Sequence, residues 1–214
     1  MSMLMQICVA VFGLTTVGLH LAKKNGNEVI LYALQSLAVV TMLGVSLWDS
    51  RSAALLLVAA VMLIVKVVLA PAFFLRLVRK HQLKFSASTY ANAPETFLGI
   101  ALILLLVSSG VFAPLTNIVP ENHTYLFVSL SALFVSLLLM INRRGALSQA
   151  VGILSMENSI VAFTIFAELE GSAMFEFGIV FDVFVWIIIA VVFVSMLFKH
   201  FGSLDLAVMK HLKG

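Results

Sequence analysis

Charged residues are scarce in this chain, and their scarcity excludes most classes of soluble protein. Only 11% of the 214 residues are charged, whereas a soluble domain carries about 25%. Hydrophobic residues supply 62% of the chain, and the mean hydropathy is +1.14. A composition of this kind is typical of a protein that crosses a lipid bilayer several times.

Residues that usually hold cofactors are also nearly absent. Cys8 is the only cysteine, so the chain has no disulfide framework and no cysteine pair for nickel, iron or an iron–sulfur cluster. The five histidines are scattered near the ends of apolar runs and do not suggest a haem pair. There is no glycine-rich phosphate loop and no large basic patch for nucleic acid. We therefore expect a non-catalytic chain with no metal or cofactor of its own and no nucleic-acid partner.

Long apolar runs dominate what remains. About seven of them reach the roughly 20 residues that a membrane-spanning helix needs. None shows the alternation of polar and apolar residues that membrane-spanning strands require. The predicted fold class is an all-α membrane helix bundle, with spans at 3–21, 29–48, 53–77, 96–114, 124–142, 147–167 and 175–197.

Basic residues follow alternate runs, and this pattern predicts the orientation of the chain. One basic residue, Arg51, falls on the opposite side, and Lys66 lies inside a run. The positive-inside rule places the N-terminus outside and the C-terminus in the cytoplasm. The other eleven of the thirteen basic residues share the predicted cytoplasmic side: Lys23, Lys24, Arg76, Arg79, Lys80, Lys84, Arg143, Arg144, Lys199, Lys210 and Lys213.

Three charged residues lie within apolar runs, at a depth where a charge is costly. They are Lys66, Glu157 and Asp182. An ionisable group in the middle of a bilayer costs at least about 2.5–3.5 kcal/mol, so its default interpretation is functional. We interpret the three as a proton- or cation-translocating group. The alternative is structural, with Lys66 paired to a carboxylate across the bundle and Glu157 joining two helices as a neutral hydrogen-bonding group.

Other polar residues in the runs are candidates for supporting roles. Ser155 and Asn158 flank Glu157, and Gln35 lies in the second run. His20 is near the cytoplasmic end of the first run and is either a proton relay or, as is more common, an interfacial residue.

Pro71 follows Lys66 by five residues. Because proline has no N–H, the carbonyl four residues earlier loses its helical partner, and we predict a kink next to Lys66.

Several of these residues occur in a pattern that resembles a known family. The pattern comprises Arg143-Arg144-Gly145, Gly152, Met156-Glu157-Asn158, Gly178-Ile179, Asp182, Gly202-Ser203-Leu204-Asp205 and Leu212-Lys213-Gly214, together with Gln35-Ser36 and Lys66-Val67-Val68-Leu69-Ala70-Pro71. It resembles hydrogenase-4 component E, a membrane subunit of formate-hydrogenlyase-type complexes. The last three runs are more distantly similar to the small three-helix subunit of respiratory complex I and of multisubunit cation/proton antiporters. In that comparison the first carboxylate falls at Leu154, and here it stands three positions later, at Glu157.

The resemblance implies two parts and a set of partners. Residues 1–114 would hold helices one to four, and residues 115–214 would hold the complex I-like helices and a short cytoplasmic tail. The chain would be a subunit without redox centres in a bacterial or archaeal plasma membrane. Antiporter-like membrane subunits and soluble hydrogenase- or quinone-reductase-like subunits would be its partners, and those soluble subunits would carry the nickel–iron centre and iron–sulfur clusters. The alternatives are a structural anchor for such a complex and a standalone small ion transporter.

Overall fold

Helices make up the architecture of the chain wherever the computed structural model describes it, at residues 3–47, 59–80 and 89–169. Within these ranges an isolated backbone bridge between Thr89 and Arg143 is the one β-type contact. The helices are α1 (Met3–Leu21), α2 (Asn25–Leu47), α3 (residues 59–80), α4 (Ala93–Val107), α5 (Ala113–Thr116), α6 (His123–Asn142) and α7 (Ala146–Phe166). A 3₁₀ turn, Pro120–Asn122, precedes α6.

Five of the described helices are long and apolar enough to cross a membrane. They are α1, α2, α3, α6 and α7, and they match the first, second, third, fifth and sixth predicted runs. The chain is therefore an all-α, multi-pass membrane protein. The seventh predicted run, 175–197, and Asp182 within it lie outside the described residues.

The fourth predicted run, 96–114, differs from the helix that forms. A capping box between Asn92 and Glu95 starts α4 at Ala93, three residues earlier than predicted. The helix ends at Val107, where Ser108 donates its hydroxyl to the carbonyl of Leu105 in the last turn. At 15 residues α4 is about 22 Å long, shorter than the hydrocarbon core of about 30 Å.

Two helical hairpins, α1–α2 and α6–α7, form the centre of the described bundle. Gly13 faces Val128, and one heptad further on His20 contacts the carbonyl of Val135, so α1 and α6 run parallel. The turns of both hairpins therefore lie at the same end of the bundle. Because they carry Lys23-Lys24 and Arg143-Arg144, we call this the basic end. The two hairpins thus pack together across the boundary at residue 114 that the resemblance suggested.

Close contact between α6 and α7 depends on one glycine. A Cβ atom added at Gly152 would lie 3.0 Å from the backbone nitrogen of Met140. Only glycine lets the two backbones approach so closely, as is common between membrane helices. At the opposite end from the turn, Asn122 donates its side-chain amide to the carbonyl of Phe166 at 3.0 Å and fastens the start of α6 to the end of α7.

The third helix changes its hydrogen-bonding pattern around Lys66. Residues Leu63–Leu69 form a π-helix, and Ala70 donates its backbone N–H to the carbonyl of Val65, five residues back. The sequence predicts a kink from Pro71, and the irregularity in fact takes the form of this π-helix, in the turns just before the proline. Such segments are uncommon and occur frequently at functional sites.

Candidate functional site: a buried ion pair and its hydrogen-bond network

A buried ion pair lies in the middle of the bundle. The Nζ atom of Lys66 on α3 is 3.8 Å from Oε2 of Glu157 on α7, and the two side chains are 1% and 2% exposed. Glu157 lies eleven residues after the start of α7, about 17 Å along its axis, and nine before its end. The structure therefore brings together the two ionisable groups whose burial in the membrane the sequence predicts to be energetically costly. The pair lies near the midpoint of the membrane-spanning helices.

Asn158 connects this pair to α2. It accepts a hydrogen bond from Lys66 Nζ through Oδ1, at 3.3 Å. Its Nδ2 donates to Ser36 Oγ at 2.9 Å and to Gln35 Oε1 at 3.3 Å. A side-chain amide can accept on one atom and donate twice on the other, which is what a position between an ammonium group and two oxygens requires.

Gln35 carries the network on to the remaining two helices. Its Nε2 donates to Thr16 Oγ1 on α1 and to Ser155 Oγ on α7, both at 2.8 Å. Ser155 Oγ in turn is 2.7 Å from Ser136 Oγ on α6. All of these residues are buried, and together they form a continuous polar path through five membrane-spanning helices.

The arrangement has two chemical capacities. First, the ion pair is strong because little water screens it: at 3.8 Å and an effective dielectric constant near 20, the attraction is about 4 kcal/mol. Second, hydroxyl groups both accept and donate protons, and the path contains four of them, on Thr16, Ser36, Ser136 and Ser155. The amides of Gln35 and Asn158 hold these hydroxyls in place.

A second buried ion pair lies at the basic end. Arg143 Nη2 is 3.3 Å from Oε1 of Glu28, and Ser148 donates its hydroxyl to Oε2 of the same carboxylate at 2.6 Å. The same guanidinium nitrogen donates to the carbonyls of Leu19 and Ala22, both at 2.9 Å, and so caps the end of α1. Arg143, expected to be a cytoplasmic loop charge, is 4% exposed, whereas its neighbour Arg144 is exposed.

Glu28 is the functional candidate that reasoning from the sequence missed. The second apolar run was predicted to begin at residue 29, so Glu28 fell just outside it. A usable signal was present, because Glu28 is an isolated acid on the predicted basic side, in the first turn of a helix and four residues after Lys24.

His20 lies apart from the mid-membrane network. Its Nε2–H donates to the carbonyl of Val135 at 3.0 Å, one turn of α1 away from Thr16. Of the predicted site residues, the structure brings together Lys66, Glu157, Asn158, Ser155 and Gln35. Asp182, predicted to share the site, is outside the described residues.

No model of a known protein family matches this chain, and no curated protein or solved structure matches it either. The resemblance to hydrogenase-4 component E therefore depends on the residue pattern alone.

Proposed function

We propose that this chain is a proton-translocating membrane subunit of a complex I-like or group 4 [NiFe]-hydrogenase respiratory complex. The observation that carries the proposal is the Lys66–Glu157 pair, buried at mid-depth and joined to hydroxyl groups from four further positions. A bundle that needed only to be stable gains little from such a pair, because apolar residues of similar volume are often as stabilising or more so.

The chemistry of the pair suits proton transfer. Glu157 takes up and releases a proton. Lys66 supplies a positive charge, and the distance between this charge and the Glu157 carboxylate sets how readily Glu157 exchanges its proton. Consider a charge change in a neighbouring subunit that moves the Lys66 ammonium group from 3.8 Å to about 6 Å from the Glu157 carboxylate. The attraction between the two groups would fall from about 4 to about 3 kcal/mol. An attraction of about 3 to 4 kcal/mol is large enough to decide whether a buried group holds a proton, and it needs no redox centre on this chain. Sodium ion is the alternative cargo, and Asp182 is a further proposed member of the pathway.

Membership of a larger complex comes from the sequence resemblance. On that basis the partners are antiporter-like membrane subunits and soluble hydrogenase- or quinone-reductase-like subunits that carry the nickel–iron centre and iron–sulfur clusters. The membrane is the plasma membrane of a bacterium or archaeon.

A second candidate function is a structural anchor, and one observation favours it. The network joins five helices through buried hydrogen bonds, and such networks also fix how helices pack. In this reading the ion pair determines assembly and conducts nothing.

The two functions predict different results for one pair of variants. The complex retained on a tagged copy of this chain would be reconstituted into vesicles containing a pH-sensitive dye, and turnover of its co-purified redox subunits would drive the assay. For Glu157→Gln we expect a lower yield of complex, because the Lys66 ammonium is left buried without its counter-charge, and at least about tenfold fewer protons moved per electron by each complex that does assemble. Glu121→Gln, an exposed carboxyl in the 3₁₀ turn, is the matched control and should equal the wild type.

An anchor predicts a different ratio of protons to electrons for Glu157→Gln. The yield of complex would fall, and each complex that did assemble would move protons at the normal ratio. That result would refute proton translocation through the pair. A tagged chain that purifies with no other subunit would refute the assignment to a complex.

A further inference from the structure

The interface between α2 and α7, which we call the seam, reaches both ion pairs, because Glu28 of α2 belongs to one and Glu157 of α7 to the other. Ser148 contacts Glu28, and Ser155 contacts Gln35; in each contact the partners are 120 positions apart. The two helices therefore run parallel and in register, with cross-links one heptad apart. Seven residues correspond to two turns, or about 10 Å, and residues at this spacing share a face.

The first cross-link lies where the seam meets the basic end. Glu28 is 1% exposed, but the residues just before α2, Lys23 and Lys24, are exposed. Glu28 is thus the first buried carboxylate along α2 from that end. The second cross-link leads through Asn158 directly to Lys66.

Tyr32 lies along α2 between Glu28 and Gln35, the residues that form the two cross-links. It follows Glu28 by one turn and precedes Ser36 by one turn, so all three lie on one face of α2. The tyrosine is fully buried although it carries a hydroxyl group. Long side chains in helices point back toward the N-terminus, so we expect the Tyr32 hydroxyl on the side of the turn that holds Glu28.

We propose that Glu28 is a second proton-binding site and that protons from the basic end reach the Lys66–Glu157 pair along this seam, through Tyr32. This inference rests on the proposed function and adds the entry route to it. Arg143 holds the Glu28 carboxylate in place and balances its charge, and Ser148 fixes its second oxygen.

Proton movement along the seam leaves each relay group unchanged. A proton from the aqueous side binds the Glu28 carboxylate and leaves it for the Tyr32 hydroxyl oxygen, which releases its own proton onward. The hydroxyl of Ser36 takes up that proton and releases one in the same way, and the last proton binds the Glu157 carboxylate. Along α2 the steps from Glu28 to Tyr32 and from Tyr32 to Ser36 each cover one helical turn, about 5–6 Å, which one water molecule or a change of tyrosine rotamer can cross. The last step crosses to α7, where Asn158, the residue after Glu157, donates to Ser36 Oγ at 2.9 Å.

The competing explanation is that Glu28 only locks the hairpins together. Glu28→Gln alone does not separate the two, because it leaves the Arg143 guanidinium buried without its counter-charge. The double variant Glu28→Gln/Arg143→Gln removes both charges, and each glutamine retains a side chain that can hydrogen-bond. A structural lock predicts that the double variant recovers both assembly and proton movement. An entry site predicts recovery of assembly alone, with at least about tenfold fewer protons moved per electron.

Tyr32→Phe tests the same route without touching a charge. We expect a normal yield of complex and about tenfold fewer protons moved per electron, in the vesicle assay described above. Tyr90→Phe is the matched control, since Tyr90 is 68% exposed. Should the double variant fail to assemble, Tyr32→Phe decides the question, and a wild-type ratio of protons to electrons in that variant overturns the route.

Failure of the route is distinguishable from failure of the proposed function. If Glu157→Gln stops proton movement while Tyr32→Phe and the double variant match the wild type, protons reach the pair by another path and the inference is wrong. If Glu157→Gln also matches the wild type, the proposed function itself is wrong.

Discussion

Removing one member of the mid-membrane ion pair should be more harmful than removing both. Lys66→Met takes away the ammonium group and leaves the Glu157 carboxylate buried next to an apolar side chain. With the two groups 3.8 Å apart, the lost attraction is about 4 kcal/mol at an effective dielectric constant near 20. This agrees with the roughly 3–5 kcal/mol that breaking a buried ion pair costs. In a chain of this size about 4 kcal/mol corresponds to a fall in Tm of roughly 8–16 °C.

The only cysteine provides the assay. Cys8 is buried in α1, so a maleimide dye that fluoresces on reaction with thiols will report unfolding of the purified protein during heating. The measurement compares wild type, Lys66→Met, Glu157→Gln and the double variant. We expect the double variant to recover most of the loss caused by Lys66→Met, because no unpaired charge then remains.

Additive effects would refute this reasoning. If the double variant lost as much as the sum of the two single variants, the coupling energy would be near zero. The two side chains would then not interact as the structure indicates, and the electrostatic basis of the proposed function would be lost.

Two further predictions test the packing and the orientation. Gly152→Ala should lower the free energy of unfolding by about 1–3 kcal/mol, because the new methyl group meets the Met140 backbone. Gly44→Ala is the neutral control, since no atom lies within 4 Å of the added methyl group. Equal melting curves for the two variants would contradict the close approach of α6 and α7. Lys24→Cys in a Cys8→Ser background should react with a membrane-impermeant maleimide only from the cytoplasmic side, and labelling of intact cells from outside would show that the predicted orientation is inverted.

Local sequence information located most helices well. The predicted run 3–21 coincides with α1, and 124–142 and 147–167 lie within one residue of α6 and α7 at each end. Hydropathy works here because a membrane-spanning segment must be apolar along its own length, whatever it contacts. Hydropathy mispredicted the end of the fourth run. The predicted run extends to residue 114, but the helix ends at Val107, where Ser108, Ser109 and Gly110 follow.

Local residue patterns were enough to predict that this protein spans a membrane several times as helices, and that burying the charges of Lys66 and Glu157 within it is energetically costly. Both conclusions depend on the free energy of placing single side chains in hydrocarbon, which is a property of each residue and its immediate neighbours. Helix packing, by contrast, pairs Lys66 with Glu157, links Gln35 to Ser155, and pairs Glu28 with Arg143. Such contacts join positions about 90 to 120 residues apart and depend on the register of packed helices, which the pattern along any one helix does not fix.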